Sequence, residues 1–228
     1  MKIIFLNTLG AAKREAITAF IQEHRESTDV FCFQEAYDDM RLLAKEILPN
    51  YEETYGYKLA SETDDFPQAT YVRKDLETIV SYPILEEWDN TGLGIYTHFR
   101  HGGKDIQLIN FHGISKPGDK RDNPGRLKQS EELIRFFEDK PGLRVIGGDF
   151  NVLPDTKSMT MFEERGYRDL IKDFAITSTR NELAWEKFPD NKQYFSDYAF
   201  VSPEVNVKSF LVPYNEISDH LPLILEIE

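Results

Sequence analysis

Hydrophobic residues along this chain switch between two periods. The segments "KIIFLN" (2–7) and "DVFCFQE" (29–35) are short runs rich in β-branched and aromatic residues, the pattern of buried strands. Between them, residues 14–27 place Ile17, Phe20, Ile21 and His24 at helical spacing, so the opening reads as a strand, helix, strand unit. The spacing predicts a second helix over 38–48. Strands follow at "QATYVRK" (68–74), "ETIVSYPILEE" (77–87), "GLGIYTHFR" (92–100) and "KDIQLINFHG" (104–113). A helix is predicted over 123–139, with Asn123 as its cap and Pro124 in the first position. The strand "LRVIGGDFN" (143–151), a short helix near 157–165, and strands within 192–202, 205–213 and 221–228 complete the pattern.

Successive strands in the middle and at the end are separated by hairpin-length gaps, which excludes a purely parallel doubly wound sheet. Two mixed sheets packed face to face with helices outside fit the order. At 228 residues and 40% hydrophobic content, one domain over 1–228 is expected. The glycines of "GGKD" and "NTGLG" read as hairpin turns, because no helix follows them to cradle a phosphate. Cys32 lies alone among apolar neighbours and reads as an inert core residue. No run is long enough to span a bilayer, and the apolar run before Asn7 is only four residues long, so a cytoplasmic protein without membrane association is expected, a monomer by default.

Charge narrows the function. With 27 basic and 40 acidic residues the net charge is −13, a surface that repels long polyanions. The one locally basic stretch is 113–128, where Lys116, Lys120, Arg121, Arg126 and Lys128 face Asp119 and Asp122. It reads equally as a substrate strip or a solvated loop. Trp88 and Trp185 sit in polar loops, where partial burial is the simpler reading than stacking on a ligand.

Polar residues at strand ends supply the candidate chemistry. Asn7 closes the first strand, Glu35 the second and His112 the strand at 104–113; Asp219 and His220 precede the last strand, and Asp197 lies in "FSDYAFVS". Asp149 and Asn151, two residues apart, should point to the same side of one strand. Crevices at strand ends are where layered α/β proteins bind ligands. Glu35 and Asp219 are hard oxygen donors, with Asn7 a neutral third, and such a set suits Mg²⁺, with Mn²⁺ as a substitute. A histidine paired with an aspartate moves protons near neutral pH, which makes His220 the natural base and Asp197 its orienting partner. Together these groups suit attack of water on phosphorus.

In their order, Asn7, "QE" (34–35), "NFHG" (110–113), "GGDFN" (147–151), "SDYAFVS" (196–202) and "SDH" (218–220) resemble the endonuclease/exonuclease/phosphatase superfamily. The resemblance spans nearly the whole chain. It implies a four-layer α/β sandwich, two packed mixed β-sheets flanked by helices, and metal-dependent hydrolysis of a phosphate ester. It further implies Glu35 as principal metal ligand with Asn7 and Asp219 in support. Asp149 would position or activate the attacking water, Asn151 would hold the scissile phosphate, His112 would contact the phosphate, and Asp197 and His220 would form the Asp-His pair. Some members carry an acidic residue where this chain has Leu9, which argues against a second cation there. Arg126 stands where the family often has an arginine; contact with a phosphate, stem packing, or pairing with Glu131 or Asp122 are its alternative roles.

The leading expectation is a Mg²⁺-dependent phosphodiesterase or phosphomonoesterase acting on a small molecule or short nucleic acid. A DNA-repair-type nuclease is the alternative, disfavoured by the charge, and a non-catalytic binding module on the same fold is a second.

Overall fold

β1 (Lys2–Asn7), α1 (Arg14–His24) and β2 (Val30–Gln34) form the expected unit, with β1 and β2 parallel and Asn7 level with Gln34. This is a computed structural model, which describes residues 1–61, 64–87, 90–186 and 189–228; Trp88 lies outside them. After α2 (Asp38–Ile47) come β3 (Tyr51–Gly56), the small β4 (Leu59–Ser61) and β5 (Asp64–Asp65) pair, β6 (Gln68–Arg73), β7 (Glu77–Ile84), β8 (Leu93–His101) and β9 (Lys104–His112). The second half holds α3 (Pro124–Phe136), β10 (Leu143–Asp149), α4 (Lys157–Glu164), β11 (Arg168–Asp169), α5 (Leu170–Asp173), β12 (Asp197–Val201), β13 (Val207–Leu211) and β14 (Leu223–Ile227).

Two six-stranded mixed sheets result, ordered β13-β14-β1-β2-β6-β3 and β11-β12-β10-β9-β8-β7. Helices α1 and α2 bury Ile17, Phe20, Ile21, Met40, Leu43 and Ile47 with Ile4, Leu6, Phe31 and Phe33 of the first sheet. Leu133 and Phe137, in and just after α3, and Phe162 of α4 join the core of the second sheet, which also takes in Phe5 and Cys32 of the first. This is the four-layer sandwich. Gly147 shows how closely its sheets approach: a Cβ there would meet the Phe5 ring at 2.6 Å. Cys32 is fully buried, and burial raises its thiol well above its ordinary value, so it is unreactive.

Several local expectations change. β3 was not anticipated, because "YEETYG" mixes exposed acids with apolar residues; it is an edge strand, where charged side chains can face solvent. Gly102 and Gly103, both with positive φ, do turn the β8–β9 hairpin. In "NTGLG", however, Gly94 lies inside β8 opposite Ile84, and Gly92 sits so near the His112 carbonyl that a Cβ would come within 1.9 Å of it. Asn123 caps α3 by accepting from the Arg126 amide at 2.9 Å. The Arg126 side chain is fully buried and binds Asp119 at 3.2 Å together with the carbonyls of Ser115, Pro117 and Arg121. It therefore holds the 113–125 loop in shape, and its acidic partner is Asp119, not Glu131 or Asp122.

Candidate active site

Topology brings the polar strand ends to one rim. β1 and β2 are parallel, as are β9 and β10, so Asn7, Glu35, His112 and Asp149 sit at their carboxyl ends. β12 runs antiparallel to β10 with Asp197 opposite Asp149, and β14 runs antiparallel to β1, so Asp197, Asp219 and His220 enter at the same rim. Asn7 joins the two sheets there: its amide nitrogen donates to Glu35 Oε1 and to Asp149 Oδ2, both at 3.0 Å. The Asn7 oxygen accepts from the Leu9 backbone amide at 3.1 Å.

Asp149 is the hub. His220 Nε2 lies 3.6 Å and His112 Nε2 3.9 Å from its Oδ2, and the Ser196 hydroxyl donates to its Oδ1 at 2.5 Å. Burial would raise its pKa, but His220, His112, Lys120 and Ser196 outweigh burial and hold the carboxyl well below the usual carboxylate range. Asn151 joins it differently from the strand reading. β10 ends at Asp149, Phe150 enters an aromatic cluster with Phe111, Phe162, Tyr198 and Phe200, and Asn151 turns into the left-handed region at φ 54°. Asp149 Oδ1 accepts the Asn151 amide at 3.0 Å, while the Asn151 side chain donates to the Gly113 carbonyl at 3.1 Å. An Asx turn, not strand alternation, brings the two together.

His220 Nδ1 lies 2.9 Å from both Asp197 oxygens, and its Nε2 lies 3.9 Å from Asp219 Oδ1. Burial and Arg180 oppose its protonation, but the surrounding carboxylates of Asp197, Asp149 and Asp219 prevail and raise its pKa. Asp219 itself pairs with Arg180 Nη2 at 2.6 Å.

All eight candidate residues thus lie in one contact network, and the structure adds others. Lys120 is buried, and its ammonium donates to the Ser196 hydroxyl at 2.8 Å. Burial and nearby Arg180 lower its pKa to about 8 against the pull of Asp149, Asp197 and Asp219. Thr179 accepts the backbone amides of Ser196 and Asp197, and Arg180 forms a β-bridge with His220. The only sequence signal for Lys120 was its membership of the basic stretch; nothing local marked Thr179, Arg180 or Ser196.

The donor chemistry fits a hard divalent cation. Glu35 is half-buried at a strand end, and among the described residues no basic side chain lies within ion-pair distance of it. Asp149, Asp197 and His220 also offer ligand atoms within 4.8 Å of one another, a grouping partly spent on the Asp197–His220 hydrogen bond.

Residues 4–220 match the family model described as "Endonuclease/Exonuclease/phosphatase family". No curated protein matches. Among solved structures, an endonuclease/exonuclease/phosphatase from Bacteroides vulgatus superposes with a TM-score of 0.80 at 18% identity, covering 100% of this chain and 98% of the other. The human Nocturnin catalytic domain with bound sulfate gives 0.75 at 18% identity, with 100% and 94% covered. A Bacteroides thetaiotaomicron mannosyl-6-phosphatase gives 0.71 at 20% identity, with 100% and 99% covered. At these identities the structural likeness concerns the fold.

Proposed function

Because the chain belongs to the endonuclease/exonuclease/phosphatase family, we propose that it is a Mg²⁺-dependent hydrolase of phosphate esters acting on small or single-stranded substrates. The observation that carries this reading is the convergence of the strand-end residues on Asp149, with His220 set between Asp149 and Asp197. Glu35 would anchor the cation, with Asn7 and Asp219 beside it. Mg²⁺ there, or Mn²⁺ in its place, would offset charge on the phosphoryl oxygens and orient the ester.

The chain's own residues supply the rest. Asp149, kept ionised, accepts hydrogen bonds from the attacking water and fixes its direction. Asn151 and His112, on either side of Asp149, hold the phosphate. Asp197 fixes the His220 ring through Nδ1, which leaves Nε2 as the atom where a proton is taken up or released. Lys120 and Arg180 offset part of the negative charge of the carboxylates. The net charge of −13 favours compact esters over duplex DNA.

A turnover panel tests the reading. With Mg²⁺ present, bis-p-nitrophenyl phosphate, p-nitrophenyl phosphate, nucleotides, inositol phosphates and short oligonucleotides are compared with nicked and abasic duplexes. Faster hydrolysis of one or more small or single-stranded esters is expected. Preference for a duplex would favour the DNA-repair alternative, and no turnover at all a binding module.

A further inference from the structure

A cleft of about 320 Å³ opens beside the cluster, lined by Gly118, Lys120, Arg180, Ala184, Trp185, Asn191 and Gln193. Lys120 and Arg180 belong both to this cleft and to the catalytic rim: one reaches Asp149 through Ser196, the other grips Asp219. Both keep spare hydrogen-bonding capacity. An ammonium has three donors, and the Lys120 ammonium, on a residue only 6% exposed, has one acceptor among the described residues, the Ser196 hydroxyl. Among the described residues the Arg180 guanidinium, which has five donors, spends one on an acceptor, from Nη2 to Asp219 Oδ2. Open donors on a buried ammonium that lines a cleft call for an acceptor there.

The other walls limit what that acceptor can be. Trp185 is 8% exposed and packs against Tyr194 with ring centroids 5.2 Å apart, so it closes the cleft and offers no free face for stacking a base. Gln193 is held by its hydrogen bond to the Gly118 carbonyl at 2.9 Å and contributes a neutral polar wall. The volume lies at the small end of the range for ligand pockets. Two cations on a compact cleft select a small anion.

We propose that this cleft binds a second phosphoryl group of the substrate, adjacent to the scissile one, so that the protein prefers compact esters carrying two closely spaced phosphates over monophosphates. The proposal rests on the hydrolase reading and names its substrate class. The anionic oxygens accept from Lys120 Nζ and from the Arg180 guanidinium, which keep donors open after Ser196 and Asp219 are bound. A duplex is excluded from the cleft by size, and a lone monophosphate fills one of the two positions, not both.

Calorimetric titration without divalent cations, using methylenebisphosphonate and methylphosphonate as non-hydrolysable probes, tests this apart from turnover. The bisphosphonate should bind the wild-type protein about tenfold more tightly or better, as expected for charge-assisted hydrogen bonds. Gln193→Glu should shrink that ratio, Gln193→Lys should enlarge it, and Lys120→Gln should reduce it to within about twofold of unity by loss of the ammonium donors. Gln193 is half-buried and lines the cleft, so its variants remain informative if Lys120→Gln fails to fold. Equal affinity for the two probes, or a ratio unmoved by the Gln193 charge changes, would overturn the proposal. The two readings fail separately: turnover of monoesters without bisphosphonate preference rejects the cleft alone, and bisphosphonate preference without any turnover rejects the hydrolase alone.

Discussion

His220 and Asp197 form a buried pair in which Nδ1 lies 2.9 Å from both carboxylate oxygens, leaving Nε2 directed at Asp149, 3.6 Å away. The pair fixes both ring orientation and tautomer. Its carboxylate also helps to raise the His220 pKa against burial. Asp197→Asn keeps the shape and removes the charge. Turnover should fall by about 10²- to 10⁴-fold, the range for a disabled proton-transfer group. With the charge gone, His220 loses its proton at lower pH, so the rising limb of the kcat/KM profile should move to lower pH. A pH profile of wild type and variant checks this; an unmoved limb at wild-type rate would contradict it.

Lys120 should govern the other side of the profile. Its pKa is lowered to about 8, so its charge is lost as pH rises through that value, and kcat/KM should decline above about pH 8. Ser196→Ala removes the acceptor of the Lys120 ammonium and the donor to Asp149 together. The expected result is a falling limb displaced to lower pH and turnover reduced by about tenfold or more, since hydrogen bonds to charged groups contribute about 1.5–3 kcal/mol.

Asp169 offers a test of stability remote from the rim. It is buried at the start of α5, where it accepts the Ile171 amide at 2.9 Å, and burial raises its pKa to about 6. The folded state therefore holds this proton more tightly than the unfolded chain, where an aspartate titrates near 3.9. The resulting stability is fully present below about pH 4 and is lost as pH rises through about 6. Asp169→Asn keeps the cap without the buried charge. Thermal unfolding at pH 7 to 8 should show stabilisation on the order of 2 kcal/mol, and the gain should fade towards pH 4.

Phe150 links the core to the site. Its ring lies 5.0 Å from Phe111 and 5.6 Å from Phe200 by centroids, while its neighbours Asp149 and Asn151 face the rim. Phe150→Ala should cost about 3–5 kcal/mol in denaturant unfolding, the range for an emptied aromatic core position. A loss under 1 kcal/mol would mean that the cluster does not anchor the Asp149 turn.

The strands, their order and the strand-end polar residues were legible because each is local: a run of apolar residues, then one polar side chain where the run stops. Asn7, Glu35, His112 and Asp149 stand out in that way, and the parallel pairs bring them together. Long-range contacts left no such trace. Arg180 gains its place from a bridge to His220 forty residues later in the chain, and Lys120 looked like its basic neighbours until folding buried it against Ser196. Arg121, from the same stretch, instead pairs with exposed Asp155. Asn151 lies beside Asp149 through the turn and not through strand alternation, since the strand stops one residue before Phe150. β3 escaped because an edge strand can carry Glu52 and Glu53 outward and so loses the apolar pattern.

The most direct measurement is a Mg²⁺ titration of p-nitrophenyl phosphate and bis-p-nitrophenyl phosphate turnover in the wild-type protein and in Glu35→Gln. The substitution preserves shape and removes the half-buried carboxylate that has no basic partner within ion-pair distance among the described residues. Wild-type turnover should require the cation and vanish with EDTA, and Glu35→Gln should raise the half-saturating Mg²⁺ concentration by about tenfold or more, since second-sphere changes alone already cost 10–100-fold in metal affinity. Turnover that persists in EDTA, or an identical Mg²⁺ dependence in the two proteins, would contradict the account.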